Sequence, residues 1–463
     1  MKRTILFLAL FSIINLQFSS FNRVSAQTRL VGGDLSLVPA YEKAGDVWLD
    51  ENGVAISDMI QYVKEKGWNA IRIRLFLDPT QDSDPATCQD YNYVQALALR
   101  VKAAGMKFLL DFHYSDTWAD PSTQKIPSAW MTDTSDKALA SHLYDYTLEV
   151  VGNLIRQGAA PDYVQIGNEI TYGLLWRTSD GRYPQNSSQY VSAGYCPTWG
   201  AAYSAGTSQW RRTALFLNNA AHAVRQGFTD NGLDSTSVKI VVHTDMGSAE
   251  RNSDNFYRHI RTAGFDNYDI VGLSYYPFWH GGLTVLSKLL TTLGKDFPTK
   301  EVQIVETAWY NNWYPSDADY TIAQLNSRWM ANATGIVNFL TDLVTALEGQ
   351  SQVTGLYYWM PEECGNGYRQ TVMQGWINRG LWTNSSNQRH PLLKATDGTS
   401  PISVLARFAG QGNGIGEVKS ENAGQARTSS LLSQSTYDLT GRIASRQRGI
   451  CIRQGRMILR SKN

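Results

Sequence analysis

Residues Asp162–Trp176 read DYVQIGNEITYGLLW, and this stretch begins as a β-strand rich in aromatic and β-branched residues. The strand pattern ends on Asn168 and Glu169. A carboxylate at a strand end has two interpretations. It is a solvated residue where the strand meets its loop, or it is a reactive group that faces a cleft. The arrangement of similar segments along the chain distinguishes the two.

Short segments of β-type composition recur along the chain and are separated by helix-like or loop-rich stretches. Strands that alternate with helices indicate a parallel sheet. Eight such units in about 385 residues predict a single α/β catalytic domain, a (β/α)8 TIM barrel with long loops. An open, doubly wound sheet is the alternative, but no GxGxxG motif follows the first strand. The predicted strands are Leu30–Leu35, Ala70–Phe76, Lys107–His113, Asp162–Glu169, Val238–Thr244, Tyr268–Tyr276, Val302–Glu306 and Val353–Trp359. The helix-like segments include Asp58–Lys66, Tyr93–Ala104, Asp136–Gly158, Gln209–Gln226 and Ile322–Glu348.

The composition favours a large globular protein that does not bind nucleic acid. The chain has 463 residues, of which 43% are hydrophobic, and a formal net charge of +1. Nucleic-acid-binding proteins usually carry a clear basic excess. The chain also contains 14 Trp and 24 Tyr. Rings of this kind that lie outside the core are flat apolar platforms with polar edges, on which sugar rings stack.

The ends of the chain differ from its centre. Residues 1–26 have the pattern of a secretory signal peptide, with basic residues before the apolar run Ile5–Leu16 and a cleavage-like Val24–Ala26. An anchoring helix is the alternative, but the apolar run is short for a bilayer span. We therefore expect a secreted or cell-surface protein with no membrane span. Residues 27–412 would form the catalytic domain, and residues 413–463 a linker and a tail rich in Ser, Gly and Arg.

The four cysteines are Cys88, Cys196, Cys364 and Cys451. An exported protein permits disulfides, but four cysteines allow three pairings, among which the sequence does not choose. None of the four has the spacing of a metal-binding motif. We therefore expect free or structural thiols rather than metal ligands.

Polar or aromatic side chains cluster where the predicted strands end. In a barrel of this kind the chemistry takes place at the C-terminal ends of the strands. A barrel with a purely structural role does not require such residues at nearly every strand end. The residues are Arg72, Arg74, Asp111, His113, Asn168, Glu169, His243, Asp245, Tyr276, Glu306 and Trp359.

Two of these residues form a candidate catalytic pair. Glu169 ends the fourth predicted strand and Glu306 the seventh, so they face each other across the barrel mouth. Two carboxyl groups about 5 Å apart suit a retaining glycosidase, in which one attacks the sugar and the other protonates the leaving oxygen. Arg72 or Arg74, with the Tyr276 hydroxyl, would keep Glu306 ionised, and Glu169 would start protonated.

Each of these residues also has a structural alternative. A single strand-end glutamate is often only solvated. One of the two arginines could simply pair with Asp111, and His113, Tyr276 and Trp359 could belong to the core. The joint placement favours the functional interpretation. Asn168 is then suited to hydrogen-bond the sugar 2-hydroxyl.

Longer motifs resemble a known family. IGNEITYGLLW, DFHYSDTWADP, RIRLF, SYYPFW and IVETAWY are similar to glycoside hydrolase family 53, the endo-β-1,4-galactanases, from about Gly32 to Phe408. The DFHYSDTWADP block is more specific than the Asn-Glu pair, which the wider clan of retaining barrels shares. The resemblance implies Glu169 as acid/base and Glu306 as nucleophile. It also implies β-1,4-galactan (type I arabinogalactan, a pectin side chain) and galacto-oligosaccharides as ligands, with no cofactor for catalysis. We expect a monomer.

The resemblance also implies a set of sugar contacts. Positions that line the subsite of the cleaved sugar in the clan are matched by Asn168, Arg72 or Arg74, His113, Tyr276 and Trp359. Further candidates for sugar contact are Asp116, Trp118 and Asp120 after the third strand, His243 and Asp245 on the fifth, and Trp309 after the seventh. Ser274 stands where the clan often has His, but it is similar to this family.

Two further features carry expectations of their own. Some bacterial relatives hold a calcium ion between the seventh and eighth loops, and Asp317 and Asp319 are candidate oxygen ligands for a structural calcium. Solvated acids are the alternative. The tail STYDLTGRIASRQRGICIRQGRMILRSKN resembles the C-terminal sorting signal read by the type IX secretion machinery, with Cys451 where an aromatic residue is usual. A disordered basic tail is the alternative.

Two rival functions remain open from the sequence. Another retaining barrel endoglycanase, a β-mannanase or a xylanase, would use the same two glutamates. A non-catalytic galactan-binding protein would keep the barrel without the chemistry, but the presence of both Glu169 and Glu306 argues against it.

Overall fold

The computed structural model describes residues 29–133, 135–177, 208–245, 253–316, 318–364 and 378–410, together with short strands between 437 and 459. The chain divides into two compact units, residues 1–414 and 415–463. The predicted signal peptide lies outside the described residues, as do Cys196 and Asp317. Within the described part, no helix has the length and hydropathy needed to cross a bilayer.

The first unit is built on a closed barrel of parallel strands in the order β1-β3-β4-β5-β6-β7-β8-β9. Closure is direct, because β1 pairs in parallel with both β3 and β9. This confirms the predicted (β/α)8 architecture and excludes the open sheet. The barrel strands are β1 (Leu30–Asp34), β3 (Ala70–Leu75), β4 (Lys107–Phe112), β5 (Tyr163–Ile166), β6 (Lys239–Asp245), β7 (Ile270–Tyr275), β8 (Glu301–Thr307) and β9 (Val353–Trp359).

Helices lie between the strands, and several begin at a residue that caps them. The side chains of Asp58, Asp90 and Ser135 each accept a hydrogen bond from a backbone N–H in the first turn of the helix that follows. The helices are α1 (Val38–Ala44), α2 (Met59–Glu65), α3 (Tyr91–Ala103), α4 (Asp136–Arg156), α5 (Ser208–Asp230), α6 (Ser253–Thr262), α7 (Pro277–His280), α8 (Leu283–Asp296), α9 (Ile322–Leu325), α10 (Ala333–Glu348) and α11 (Pro401–Ala406).

The predicted helical segment Ile322–Glu348 is divided in two, which corrects the sequence prediction. Its second helix begins at Ala333 and is capped by Asn332, whose side chain accepts the Gly335 N–H at 2.8 Å. A Cβ on Gly335 would lie 1.7 Å from the Met330 carbonyl oxygen. The tight turn that this glycine permits interrupts the apolar helical pattern.

A small second sheet lies outside the barrel. It consists of β2 (Val47–Leu49) and β10 (Arg389–Pro391), which pair in parallel with His390 opposite Trp48. Both strands are too short to show a period-2 pattern, so neither was predicted. The pairing brings residues from near the start and the end of the barrel unit together.

Charged side chains from the C-terminal ends of β1, β3 and β4 lie inside that end of the barrel. Arg72 and Arg74 are two residues apart on β3 and therefore point to the same face. Arg72 forms ion pairs with Asp34 at 2.9 Å and Asp111 at 2.8 Å, and Arg74 pairs with Asp34 at 2.7 Å. Buried charges of this kind are tolerated only when they are paired. An apolar cluster that includes Leu30, Ala70 and Tyr357 also packs at the barrel strands.

The second unit contains an antiparallel sheet of β11 (Tyr437–Asp438), β12 (Ile450–Arg453) and β13 (Arg456–Leu459). Its strands fall within the segments that resemble a sorting signal. The sorting function of the tail stays a prediction.

Candidate active site

A cavity of about 280 Å³ opens at the C-terminal ends of the barrel strands. Its walls combine carboxyl groups, aromatic rings and hydrogen-bond donors. This combination suits a polar ligand that also has apolar faces. The lining residues are Arg74, Asp84, His113, Trp118, Ala119, Asp120, Asn168, Glu169, Tyr276, Glu306 and Trp359.

Glu306, near the end of β8, is held by two donors. Its Oε1 lies 2.9 Å from a guanidinium nitrogen of Arg72, and its Oε2 accepts the Tyr276 hydroxyl at 2.9 Å. Only 5% of Glu306 is exposed. Burial raises the pKa of Glu306, while the charge of Arg72 and the Tyr276 hydrogen bond oppose that rise. Both oxygens are therefore arranged to stabilise the ionised carboxylate.

Glu169 follows β5, in a turn that directs its carboxyl group towards Ser274 on β7. Gly167 has a φ of 104° and Glu169 a φ of 46°, and a glutamate rarely adopts this left-handed region. The turn places Oε1 of Glu169 2.6 Å from the Ser274 hydroxyl. Burial and the negative charge of Glu306 raise the pKa of Glu169 well above its ordinary value. This carboxyl is therefore protonated under conditions in which an exposed glutamate is ionised.

Ser274 also forms a hydrogen bond with His243, which lies behind it. The Nδ1 atom of His243 faces two donors, the backbone N–H of Glu169 at 3.2 Å and Nε2 of Gln165 at 3.1 Å, and one acceptor, Oδ1 of Asn168 at 3.1 Å. The two donors favour the tautomer with the imidazole proton on Nε2. The His243 Nε2–H then donates to Ser274 at 2.9 Å, and Ser274 donates to Glu169. Burial holds the pKa of His243 well below its ordinary value, so the ring is neutral.

Arg72 organises the site from below and does not line the cavity. Its side chain is fully buried, and it donates to Oδ1 of Asn168 at 2.7 Å. Asn168 in turn donates from Nδ2 to the Ala119 carbonyl at 2.8 Å. One N–H of Asn168 remains for a ligand in the cavity. Arg72 thus positions Glu306 and Asn168, and a sugar contact for Arg72 itself stays a prediction.

Arg74 lines the cavity and has donors to spare. One guanidinium nitrogen pairs with Asp34, and the group lies 4.9 Å from the Trp118 ring centroid. Its Nε and Nη2 have no hydrogen-bond partner within the described residues. Buried donors of this kind are costly unless a ligand or water satisfies them. Arg74 is therefore equipped to bind a polar group in the cavity.

Two tryptophans and a histidine form the apolar part of the wall. Trp118 and Trp359 meet edge to face, with ring centroids 6.4 Å apart. His113 lies 5.9 Å from Trp118, and its Nδ1 accepts the Ala119 N–H at 3.0 Å. These rings provide the platform expected for sugar stacking.

The sequence did not indicate Asp84, which lies in the loop after β3. It lines the cavity and accepts the Trp118 indole N–H at 2.9 Å. A single acid in a loop has no pattern that marks it. Its position depends on how the loop folds back over the barrel, and no local sequence pattern reports this.

Two residues predicted to contact sugar, Trp309 and Asp116, do not line the cavity, and a sugar contact for them stays a prediction. Trp309 is fully buried. Its ring stacks between those of Phe278 and Phe339, with centroid distances of 5.2 Å and 4.9 Å. Asp116 accepts backbone N–H groups and so fastens the loop instead of facing the cavity. Both residues support the walls from outside.

His243 and Asp245 were also predicted to contact sugar, and neither lines the cavity. His243 is fully buried behind Ser274. Asp245 accepts a hydrogen bond from Thr171 and adds negative charge near Glu169. Of the two candidate calcium ligands, Asp317 lies outside the described residues and Asp319 is exposed.

A family model described as "Glycosyl hydrolase family 53" matches residues 30–396. An "Arabinogalactan endo-beta-1,4-galactanase A" from Aspergillus niger is 32% identical over 346 residues, which is 73% of this chain and 86% of the relative. An "Arabinogalactan endo-beta-1,4-galactanase" from Cellvibrio japonicus is 31% identical over 362 residues, covering 77% and 85% of the two chains.

Solved structures agree with this match. A structure from a study of two fungal β-1,4-galactanases superposes with a TM-score of 0.62 at 28% identity, covering 82% of this chain and 99% of the other. The Ignisphaera aggregans GH53 catalytic domain gives a TM-score of 0.63 at 28% identity, covering 84% and 98%. The similarity therefore spans the barrel unit.

Proposed function

The chain belongs to glycosyl hydrolase family 53, and from this premise we propose that it is a secreted endo-β-1,4-galactanase. It would hydrolyse β-1,4-galactosidic bonds within type I arabinogalactan and retain the anomeric configuration. The names of the Aspergillus and Cellvibrio relatives support the substrate. The sequence pattern of residues 1–26 supports secretion.

The observation that carries the mechanism is the unequal environment of two carboxyl groups in one cavity. Glu306 has a guanidinium on one oxygen and a phenol on the other. Glu169 has a neutral hydroxyl on one oxygen, and it is buried near the charge of Glu306. Groups whose surroundings separate their pKa values in this way divide the acid and nucleophile roles between them.

In the first step the ionised Glu306 attacks the anomeric carbon of the bound galactosyl unit. The bond from this carbon to the leaving oxygen breaks, and Glu169 gives its proton to that oxygen. The product is a galactosyl ester of Glu306 and a shortened chain with a free 4-hydroxyl. Once Glu306 is esterified its negative charge is lost, and the pKa of Glu169 falls.

In the second step Glu169, now a carboxylate, takes a proton from water. The resulting hydroxide equivalent attacks the anomeric carbon and releases Glu306 as a carboxylate. Two inversions give net retention. Both glutamates return to their starting protonation states, so the cycle balances without a cofactor.

The cavity residues around the pair would bind the sugar. The remaining N–H of Asn168 is suited to the 2-hydroxyl, a contact that strengthens in the transition state. The unpaired Arg74 donors would bind further hydroxyls. Trp118 and Trp359 would stack on sugar faces.

The deciding experiment compares linear β-1,4-galactan with β-mannan and xylan, using protein that lacks the signal peptide and tail. Products are followed by size and, by NMR, for their first-formed anomer. We expect short galacto-oligosaccharides with the β anomer formed first. The axial 4-oxygen gives a galactan chain a different shape from a mannan or xylan chain, so a cleft built for galactan should reject the other two strongly. Cleavage of only mannan or xylan would overturn the substrate, and an α anomer would overturn the retaining mechanism. Tight galactan binding without cleavage would indicate a binding protein.

A further inference from the structure

Three side chains that are remote in sequence meet behind the barrel wall. Asp46, Cys364 and His390 each offer one potential ligand atom, and these atoms all lie within 4.8 Å of one another. Asp46 precedes β2, Cys364 follows β9, and His390 is the central residue of β10. The parallel pairing of β2 with β10 creates the cluster. None of the three lines the substrate cavity.

The hydrogen bonds of His390 fix which of its nitrogens faces the cluster. Its Nδ1 lies 3.1 Å from the Thr383 carbonyl oxygen, which can only accept, so Nδ1 carries a proton. Its Nε2 lies 3.0 Å from Oδ1 of Asp46, which is an acceptor when ionised. The Nε2 atom therefore faces Asp46 with a second proton, with its lone pair towards a protonated Asp46, or with its lone pair towards a bound cation. Metal-binding histidines are usually oriented by this kind of bond from the other ring nitrogen to a backbone carbonyl.

The surroundings of Asp46 independently favour a cation ligand at this position. Only 5% of the residue is exposed, and its Oδ2 has no hydrogen-bond partner within the described residues. His390 is fully buried and Cys364 is 2% exposed. An ionised carboxylate oxygen is costly to bury without a donor or a metal ion.

We propose that Asp46, Cys364 and His390 form a structural site for one divalent transition-metal ion of the zinc class. Thiolate, imidazole and carboxylate together match zinc, whereas calcium and magnesium take oxygen ligands. Tetrahedral coordination at the usual zinc bond lengths separates the ligand atoms by about 3.3–3.6 Å. Since the ligand atoms lie within 4.8 Å of one another, the widest separation has to shorten by at most about 1.2–1.5 Å. The Nε2 atom of His390 and Oδ1 of Asp46, at 3.0 Å, would move slightly apart. Water would occupy the fourth position.

The bound ion would link three segments that lie far apart along the chain. Cys364 stands five positions after Trp359, a residue of the cavity wall. The ion would therefore hold the chain that leaves β9 against β2 and β10. Sequence spacing could not indicate this site, because its ligands are distributed between positions 46 and 390.

The test uses the full-length chain, first treated with a thiol reductant and a chelator and then freed of both. Cobalt(II) is the probe, because a cobalt–thiolate bond gives an intense charge-transfer absorption. We expect saturation at one equivalent per chain, displacement by zinc, and a higher thermal midpoint with zinc than without. The Cys364→Ser variant should lose the thiolate absorption. The Cys88→Ser variant, which alters a thiol outside the cluster, should keep it.

A second variant keeps the proposal testable if Cys364→Ser does not fold. Asp46→Asn preserves the size of the side chain and removes the anionic ligand. It should weaken cobalt binding by more than the about 10–100-fold that loss of an outer-shell partner costs. The proposal is overturned if the parent chain shows no saturable binding. It is equally overturned if the thiolate absorption survives in Cys364→Ser, or if Asp46→Asn binds with unchanged affinity.

Discussion

The Ser274 hydroxyl lies 2.6 Å from Oε1 of Glu169. Ser274 is also the residue whose backbone is in register with Glu306 across β7 and β8, after an irregularity between Leu273 and Ser274. One serine thus touches the proposed acid while its backbone neighbours the proposed nucleophile. Because it donates to Glu169, it stabilises the carboxylate form that the first chemical step creates.

Removal of this hydroxyl should slow the first step. In Ser274→Ala, Glu169 loses one hydrogen bond to its charged form, which is worth about 1.5 kcal/mol or more, so kcat/KM on galactan should fall by about tenfold. The same loss raises the pKa of Glu169 further, so the alkaline limb of the pH profile should move upward. Ser237→Ala, an exposed residue before the opposite end of β6, should change neither. An unchanged pH profile in Ser274→Ala would contradict the role given to this hydroxyl.

The nucleophile prediction concerns Glu306 itself. Glu306→Gln should lower kcat by at least about 10³-fold, since removal of a hydrolase nucleophile has effects of this size or larger. Its binding of galacto-oligosaccharides, measured by calorimetry, should persist because the cavity wall is unchanged. Glu301→Gln, at the other end of the same strand, is the matched control and should retain activity. Appreciable hydrolysis by Glu306→Gln would refute the assignment.

The acid prediction follows from the directions of the two pKa shifts. Glu169 must be protonated, so activity is lost as the pH rises through its pKa, which burial and the charge of Glu306 raise well above the ordinary range. Glu306 must be ionised, so activity is lost as the pH falls through its own pKa. The profile should therefore be bell-shaped.

Glu169→Gln tests this assignment directly. It should lose about 10²–10⁴-fold on galactan and should also lose the alkaline limb. An aryl β-galactoside with a good leaving group needs little protonation, so its first step should be largely preserved. Equal loss on both substrates would argue against an acid role for Glu169.

Arg72 should matter more for stability than a surface arginine does. Arg72→Ala removes the partner of Asp34, Asp111 and Glu306 at a fully buried position. The uncompensated charges should cost about 3–5 kcal/mol in the free energy of unfolding measured in denaturant. Arg100→Ala breaks partly exposed ion pairs with Glu42 and Asp58, and its cost should stay within about 1 kcal/mol. Similar costs for the two variants would show that the buried network is not needed.

The sequence predicted the barrel and the two glutamates because both depend on local patterns. Strand composition, the alternation with helices and the residue at a strand end can be read from short windows. The direction of a side chain beyond the strand end cannot. Trp309 and Trp359 both follow or end a barrel strand, yet Trp309 packs into the core and Trp359 lines the cavity. The cluster of Asp46, Cys364 and His390 was missed for a related reason. Its residues are far apart in sequence, and the two-stranded sheet that brings Asp46 and His390 together has no sequence signature.

The two tryptophans Trp309 and Trp118 provide the sharpest test of where the sugar binds. Trp309→Ala should cost about 3–5 kcal/mol in stability, because it empties a fully buried aromatic position, while KM for galactan stays close to that of the parent. Trp118→Ala should do the reverse: it removes a partly exposed ring from the cavity wall, so KM should rise by about tenfold with a smaller loss of stability. Thermal denaturation and steady-state kinetics on the same preparations separate the two effects. If Trp309→Ala raised KM and left stability intact, Trp309 would be returned to the sugar-binding surface where its sequence position first placed it.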